Sequence, residues 1–359
     1  MSRELMKLRK TVDNLDSQIL RLLNKRANTT LEIGKIKKRR AIDVFSPDRE
    51  KEVYERITMA SKGPMPKETL RAIYREIMSG SLSLEKPLKV AYMGPQATFT
   101  HLAAMKKFGS SVEYVEKDLI AEVFDAVEKG TVDYGVVLIE NSLEGAIDHT
   151  LDRFMDADPI VKICSEISVE IRHNLIAKSA ISSIKRVYSN PTVFEQCRSW
   201  LAGNLPKALR VEFPTTSMAA AYVASRPKGS AAIASDIAAK KYSLRIIARS
   251  IEDRGVHNVT RFLVIGKTQG QPTRKDKTSI MLSLKDKVGA LHDLLVPFKK
   301  AGISLTKIES RPSKKKAWEY YFFVDFIGHY KGKNVTKALS ALEKGCTTLK
   351  VLGSYPVSD

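Results

Sequence analysis

The sequence predicts a multidomain α + α/β protein, with an all-α domain over residues 1–87, an α/β domain over 88–267 and a ferredoxin-like βαββαβ domain over 278–359. Three observations carry this. Apolar residues recur at alternating spacings of three and four from Leu5 to Ile36, which is a helical period. From Leu88 onward, short apolar runs alternate with helical patterns. Beyond the polar segment TQGQPTRKDK (268–277), the pattern reads strand, helix, strand, strand, helix, strand.

Each element follows from its residues. Leu5, Leu8, Val12, Leu15, Ile19, Leu22, Arg26, Thr29, Ile33 and Ile36 form a heptad-like stripe. Neither Gly nor Pro interrupts it before Gly34, so one long helix is expected over 3–40. A second helix is expected from Pro47 to about Ser61, broken by GPMP (63–66). A third runs from about Lys67 to Leu84, with Leu70, Ile73, Ile77, Ser81 and Leu84 on one face, and Pro87 ends the domain. KVAYMG (89–94), DYGVVLIEN (133–141), AAIAS (231–235), RIIAR (245–249) and RFLVIG (261–266) read as short buried strands. In the last domain, TSIMLSL, ISLTKIES, WEYYFFVDF and TLKVLGSY read as strands. GALHDLLVPFKKAG and NVTKALSALEK read as helices, and the lysine run 314–316 as an exposed hairpin tip.

Composition narrows the function. At roughly 100–200 residues per domain, 359 residues suit two or three domains, and 43% hydrophobic content lets each bury a core. Cys164, Cys197 and Cys346 are too widely spaced for a metal-ligand pattern or a disulfide framework. The stretch MSRELMKLRKTVDNLD has no apolar signal-peptide segment, and no run of about 18 apolar residues occurs. The expectation is a cytoplasmic protein with reduced thiols, no membrane partner and no metal or cofactor. The net charge of +20 attracts anions, but aromatic residues are only 7% and no nucleic-acid-reading motif occurs, so small acids are the expected ligands.

Two cations break the pattern of the first helix. Arg26 stands on the apolar stripe, where an unpaired guanidinium is costly to bury. It either snorkels, pairs with a neighbouring helix, or forms part of an anion pocket. Lys37 is eleven residues on, three turns at about 100° per residue, so both face one way roughly 16 Å apart. Arg9 is seventeen residues before Arg26, roughly 25 Å away and about a quarter-turn off that face. One small ligand cannot touch all three on a straight helix. An Arg9 that binds ligand serves a site in another subunit, which predicts a dimer.

Leu8-Arg9, Asn24-Lys25-Arg26, Gly34-Lys35-Ile36-Lys37, Asp48-Arg49-Glu50 and Ser81-x-x-x-Glu85 resemble the all-helical chorismate mutases over about the first 87 residues. The resemblance implies that Arg9 from the partner, Arg26 and Lys37 hold the two carboxylates and the ether oxygen of chorismate. It implies that Glu50 meets the ring hydroxyl, and that Ser81 and Glu85 meet a carboxylate and the ether oxygen. The rearrangement to prephenate is pericyclic and needs a fixed conformer and a stabilised ether oxygen, not a nucleophile. Ser46 stands where some members have aspartate, and its contact with the hydroxyl is then through backbone. Glu85 stands where others have glutamine; as a donor it must carry a proton, so mutase activity is expected to decline as pH rises.

In the middle domain, GPQATFTHLA (94–103), IENSLEG (139–145), YSNPTVFEQC (188–197) and PTTSMAA (214–220) each lead from a strand-like run through polar residues into a helix. Ser, Thr and Asn at helix starts are usually caps, yet helix N-termini also bind anions. With NVTRF (258–262), these segments resemble prephenate dehydratase over about 88–267. The resemblance implies a two-lobed fold like periplasmic binding proteins, with the site between the lobes. It implies catalytic roles for Asn141, Ser189, Gln196, Thr260 and Arg261, with Thr98 and Thr216 lining the cleft. Arg261 would pair with a prephenate carboxylate, and Thr260 would hydrogen-bond the leaving hydroxyl. The motifs supply no obvious general acid; Glu140 is either a proton source or a structural residue. Leu138, Asn190 and Thr192 depart from the frequent Pro, His and Gln.

Residues 278–359 resemble an ACT domain, an amino-acid-binding regulatory module, in GALH (289–292) and ESRP (309–312). The resemblance implies an L-phenylalanine pocket at Gly289, Ala290, Leu291, His292, Glu309, Ser310, Arg311 and Pro312, formed between subunits. The whole reads as a bifunctional chorismate mutase and prephenate dehydratase inhibited by L-phenylalanine, acting as a homodimer or higher homo-oligomer. The alternative is a small-molecule-binding regulatory protein with degenerate catalytic sites.

Overall fold

The computed structural model describes residues 2–40, 43–253, 255, 257–273, 275–285, 287–314 and 318–358. Lys315 and Lys316 of the expected hairpin tip, and Arg274 of the expected linker, lie outside them. The chain divides into two compact units: the residues up to Lys89 with Phe108–Glu113, and Val90–Lys107 with the chain from Tyr114 onward.

The first unit is helical. Helix α1 (Arg3–Arg39) is followed by α2 (Pro47–Ala60) and α3 (Lys67–Glu85). Ser2 caps α1 by accepting from the Glu4 amide, and Lys37, Lys38 and Arg39 sit at its negative end. Pro47 opens α2, where a missing N–H is harmless. Gly34 lets α3 come close to α1, since a Cβ there would lie 3.0 Å from Glu85 Cγ. Phe108–Glu113 straps onto α3: Ser110 donates through its amide and hydroxyl to Glu76, and the Ser111 amide donates to Ser79. The expected stripe is half-covered at best. Leu5, Leu8, Val12, Leu15, Ile19 and Leu22 are exposed, and every described α1 residue up to Lys25 faces solvent.

The second unit begins with β1 (Lys89–Met93), α4 (Phe99–Phe108), β2 (Glu113–Lys117), α5 (Ile120–Glu128), β3 (Tyr134–Asn141), β4 (Gly145–Ala146), α6 (Asp148–Asp156) and β5 (Lys162–Glu170). The chain crosses to β6 (Asn174–Ala177), β7 (Arg186–Ser189), α7 (Pro191–Gln196), α8 (Arg198–Asn204), β8 (Leu209–Glu212), α9 (Thr216–Ser225), β9 (Ser230–Ala234), α10 (Asp236–Lys241) and β10 (Arg245–Ala248), then returns as β11 (Val259–Gly266). One sheet runs β2-β1-β3-β11-β5, with β4 on β3; a second runs β10-β6-β9-β7-β8. These are two lobes joined by crossovers, as expected.

The βαββαβ unit follows as β12 (Asp276–Leu284), α11 (Ala290–Lys300), β13 (Leu305–Pro312), β14 (Tyr320–Ile327), α12 (Lys333–Glu343) and β15 (Cys346–Pro356), with sheet order β13-β14-β12-β15. Its strands alternate between two cores. Ile280, Leu282, Val324 and Phe326 pack under the helices with Leu294 and Phe298. Met281, Phe323, Leu352 and Tyr355 instead join Phe124, Phe154, Ile163 and Leu263 of the first lobe. Gly353 makes that approach possible, since a Cβ there would lie 2.2 Å from the Ile163 carbonyl oxygen. Among the described residues, no helix is long and apolar enough to cross a membrane, and no His/Cys/Asp/Glu group could hold a metal.

Candidate active sites

Four predicted residues of the helical unit converge. Arg26 donates through Nη1 to the Ser81 hydroxyl, which itself donates to the Ile77 carbonyl at 2.8 Å. Lys37 Nζ donates to the Val44 carbonyl at 2.7 Å and lies 3.2 Å from Glu85 Oε2. Burial lowers the Arg26 pKa, opposed by Tyr74 and Glu85. A half-buried guanidinium bonded to a hydroxyl retains donors for an anion. Glu50 lies in the first turn of α2, and its amide donates to the Ser46 carbonyl at 3.0 Å. The Ser46 hydroxyl is turned to Asp48 Oδ1 at 2.7 Å. Arg9 sits on the exposed half of α1, away from this group.

In the two-lobed domain, Thr260 and Asn141 stand opposite each other on β11 and β3, and their side chains join one hydrogen-bonded group that reaches Gln196 of the second lobe. Asn141 Oδ1 accepts from the Leu143 and Glu144 amides at 2.9 and 3.2 Å. Backbone N–H groups can only donate, so the Asn141 NH2 must face the other way. It donates to Thr260 Oγ1 and to Asn258 Oδ1, both at 2.8 Å. The Asn258 NH2 then donates to Gln196 Oε1 at 3.0 Å, and His173 Nε2 meets the same oxygen at 2.7 Å. The Thr260 hydroxyl accepts within this chain, in a residue 5% exposed.

The mouth of the cleft is tied across the lobes. The Ser217 hydroxyl donates to the Gln96 carbonyl at 2.5 Å, and Lys241 reaches the Gln96 side chain. Ala97 holds φ at 66°, a conformation non-glycine residues rarely adopt, with its carbonyl accepting from Ser235. Thr98 Oγ1 accepts from the His101 amide at 3.4 Å, a capping contact. Thr216 is buried in the first turn of α9, and the cap is Thr215. Asn190 caps α7 and donates to the Pro214 carbonyl at 3.0 Å, so this departure serves the fold.

Three expectations require correction. Arg261 does not face the cleft. Neighbouring strand residues point to opposite faces, and with Thr260 inward Arg261 turns away. Its Nε donates to Glu166 at 2.8 Å, Nη1 to Asp325 at 2.7 Å and Nη2 to Tyr355 at 2.9 Å. Burial alone would lower its pKa, but Tyr355, Asp325 and Glu166 raise it. Glu140 shares that reverse face, 3.1 Å from Lys307 and 3.5 Å from Arg261, on the side away from the Thr260 hydroxyl. Ser189 is fully buried, with its hydroxyl donated to the Ile233 carbonyl at 2.9 Å.

The third correction concerns ESRP. Along β13 the side chains alternate, and Arg311 turns to the first lobe, where it pairs with Asp148 at 2.6 Å and Asp152 at 3.1 Å. Glu309 shares its face. Ile308, Ser310 and Pro312 project oppositely, exposed. Glu309 and Arg311 therefore cannot line one pocket with Ser310 and Pro312. GALH does lie at the same end of this sheet, since Ser283 stands opposite Tyr321 and Tyr321 opposite Arg311. Gly289 caps α11 at φ 78°, which glycine adopts without strain. Leu291 is exposed, and His292 lies 3.3 Å from Asp293. His173 and the bonded role of Asn258 were not expected: no motif flags EIRHN, and only the break between two apolar runs marks its place.

Comparison with known proteins agrees with this anatomy. The chorismate mutase type II model matches residues 8–86, the prephenate dehydratase model 90–270 and the ACT domain model 278–344. The bifunctional chorismate mutase/prephenate dehydratase of Aquifex aeolicus is 49% identical over 98% of both chains. The chain belongs to the bifunctional chorismate mutase/prephenate dehydratase family. The Pseudomonas aeruginosa member is 43% identical, again over 98% of both chains. Among solved structures, the prephenate dehydratase of Arthrobacter aurescens in complex with L-Phe is 30% identical, with a TM-score of 0.69, covering 75% of this chain and 90% of that one. The Staphylococcus aureus dehydratase is 28% identical with a TM-score of 0.65, covering 75% and 100%. The family's two activities thus reside in one chain: the mutase in α1–α3 and the dehydratase in the two-lobed domain, with an ACT domain behind it.

Proposed function

We propose that Arg26, Lys37, Ser81 and Glu85 hold chorismate in its reactive conformer, with Glu50 at the ring hydroxyl and Arg9 supplied by a second copy of the chain. Arg26 and Lys37 neutralise the carboxylates and the charge that develops on the ether oxygen, and Glu85 donates to that oxygen. The second copy also covers the apolar α1 stripe, so the working form is at least a dimer, located in the cytoplasm.

Prephenate then binds between the two lobes. Its C4 hydroxyl accepts from Thr260, whose oxygen is held by Asn141. Loss of carbon dioxide pushes electrons into the ring, hydroxide leaves toward the Thr260 proton, and aromatisation drives the step. With Arg261 committed elsewhere, the backbone N–H groups at the start of α9 beside Thr216 are the anion seat. The product, phenylpyruvate, is one transamination from L-phenylalanine, which binds the ACT domain at Gly289, Ala290 and Leu291 and the exposed face of Ser310 and Pro312. Such feedback is a coupling free energy between pocket and cleft.

The observation that supports this reading is the Thr260–Asn141–Asn258–Gln196 chain, in which the Thr260 oxygen accepts while its hydroxyl can still donate to prephenate. The test is a time course of purified protein fed chorismate, quantifying chorismate, prephenate and phenylpyruvate with and without L-phenylalanine. Phenylpyruvate that appears and is suppressed by phenylalanine is the expected result. Prephenate accumulating alone would remove the dehydratase assignment of the cleft residues, and unchanged chorismate that of the helical site.

A further inference from the structure

The two lobes are joined by two crossovers that run side by side. One leads from β5 to β6 through Ile171, Arg172 and His173; the other returns from β10 to β11 and includes Ile251, Glu252 and Asn258. They are bonded to each other: the Ile171 amide donates to the Asn258 carbonyl, and the Ile251 amide to the His173 carbonyl, both at 2.8 Å. The Glu252 carboxylate accepts from the His173 amide at 3.0 Å and from Arg172 at 2.9 Å.

The side chains of the two crossovers meet at Gln196, at the end of α7 in the second lobe. Gln196 Oε1 accepts from Asn258, so the His173 nitrogen 2.7 Å away must also be a donor. That fixes the Nε2–H tautomer and leaves Nδ1 as a bare lone pair, in a residue 2% exposed. Phe99 packs edge-on against the ring at 6.0 Å. Burial lowers the His173 pKa, opposed by Gln196 and Glu252. Every donor direction between His173 and Thr260 is therefore determined.

We propose that His173 and Asn258 are positioning residues of the dehydratase: through Gln196 and Asn141 they hold the Thr260 hydroxyl so that its proton points into the cleft. This rests on the reading of Thr260 as donor to the leaving hydroxyl. Neither residue touches substrate; both act on the orientation of a group that does. Because Gln196 belongs to the second lobe and Asn141 and Thr260 to the first, the chain is complete only when the lobes hold their present spacing.

The experiment measures dehydratase kcat and KM on prephenate, with thermal melting, for full-length His173→Leu, His173→Gln, Asn258→Asp and Thr260→Val. Asn258→Asp keeps an acceptor for Asn141 but turns an oxygen toward Gln196 Oε1. His173→Leu removes the donor, and His173→Gln places an amide N–H near the position of Nε2. The expected result for His173→Leu and Asn258→Asp is a fall in kcat of about tenfold or more with KM within about threefold, as for a misaligned group. His173→Gln recovers kcat to within about threefold of the parent, which a filler of space would not require. His173→Leu adds nothing to Thr260→Val in the double variant, because both act on one hydroxyl. Thr260→Val retaining kcat within about twofold would remove the Thr260 reading itself, and this proposal with it. With Thr260→Val impaired, three results overturn the positioning role alone: His173→Leu and Asn258→Asp retaining kcat, His173→Gln as impaired as His173→Leu, or additive losses in the double variant.

Discussion

Arg261→Met separates the two readings of the TRF segment. The guanidinium makes three charge-assisted or polar bonds, to Glu166, Asp325 and Tyr355. After substitution Glu166 keeps Lys277 at 2.8 Å and the Ser358 amide at 2.9 Å, and Tyr355 keeps Ser279 at 2.7 Å. Asp325 keeps only the Ser279 hydroxyl at 2.5 Å, with its side chain 10% exposed. Removing one partner of a buried ion pair costs about 3–5 kcal/mol. The surviving partners of Glu166 place this case near the lower figure, about 3 kcal/mol. For a unit of this size that lowers Tm by roughly 6–12 °C, read by scanning calorimetry. Asp325→Asn in the same chain removes the stranded charge and recovers part of the loss. Dehydratase KM on prephenate stays within about threefold in the folded fraction, because the side chain points away from the cleft. A carboxylate-binding arginine would behave oppositely, since losing a charged hydrogen bond of about 1.5–3 kcal/mol raises KM by roughly 10–150-fold. A Tm within about 2 °C of the parent together with such a rise in KM would refute the assignment to the buried cluster.

The remaining predictions address other parts of the chain. Leu8→Glu with Leu15→Glu places charge on the exposed α1 stripe; at about 1.5–3 kcal/mol per lost leucine burial, the proposed dimer is expected to be absent at micromolar protein and mutase activity to fall with it, by sedimentation and chorismate assay. Dimers persisting with full mutase activity would remove α1 from the interface. Glu85→Gln offers the ether oxygen an amide donor where the parent has a carboxylate paired with Lys37, so mutase kcat stays within about threefold of the parent. A fall of about tenfold or more in this variant removes the position from the donor role. Burial works against the charged Glu252 carboxylate, but bonds from Arg172 and the His173 amide outweigh it and hold its pKa below the usual carboxylate range. A depressed folded pKa means stability that is present above the unfolded value of about 4.3 and is lost as pH falls through the folded one. Melting temperature therefore drops on acidification below about pH 4.3, and Glu252→Gln shows a shallower drop. An identical slope in the two proteins would contradict this.

The elements were legible wherever a period or a breaker was strong. The α1 stripe, GPMP after α2 and the strand–helix alternation after Leu88 each gave an element its type. Short strands such as β2 and β8 carry too few apolar residues to announce themselves, and their partners lie far off in sequence. Motifs marked which segments meet, but not which way a side chain turns. Thr260 and Arg261 are adjacent on a strand, so the period of two already forbade both from entering one cleft; the same holds for Ser310 and Arg311. Ser189 reads as a helix-start hydroxyl and proves to bond a neighbouring strand. His173 was illegible because its partners come from segments 23 and 79 residues away.

The surface shared by the ACT sheet and the first lobe bears on how such an enzyme could be freed from its effector. Met281, Phe323, Leu352 and Tyr355 lie in one apolar cluster with Phe154, Ile163 and Leu263, and Gly353 rests directly on the Ile163 backbone. Cutting the chain at the linker would not detach an accessory; it would open the dehydratase's own interior and expose the Arg261 cluster to water. Grafting a foreign ACT module would meet the same obstacle at Gly353, where no other side chain fits. If the effector sits where we propose, deregulated variants are to be sought as single substitutions on the exposed face of β13 and at the start of α11, with the ACT domain left in place as part of the catalytic body.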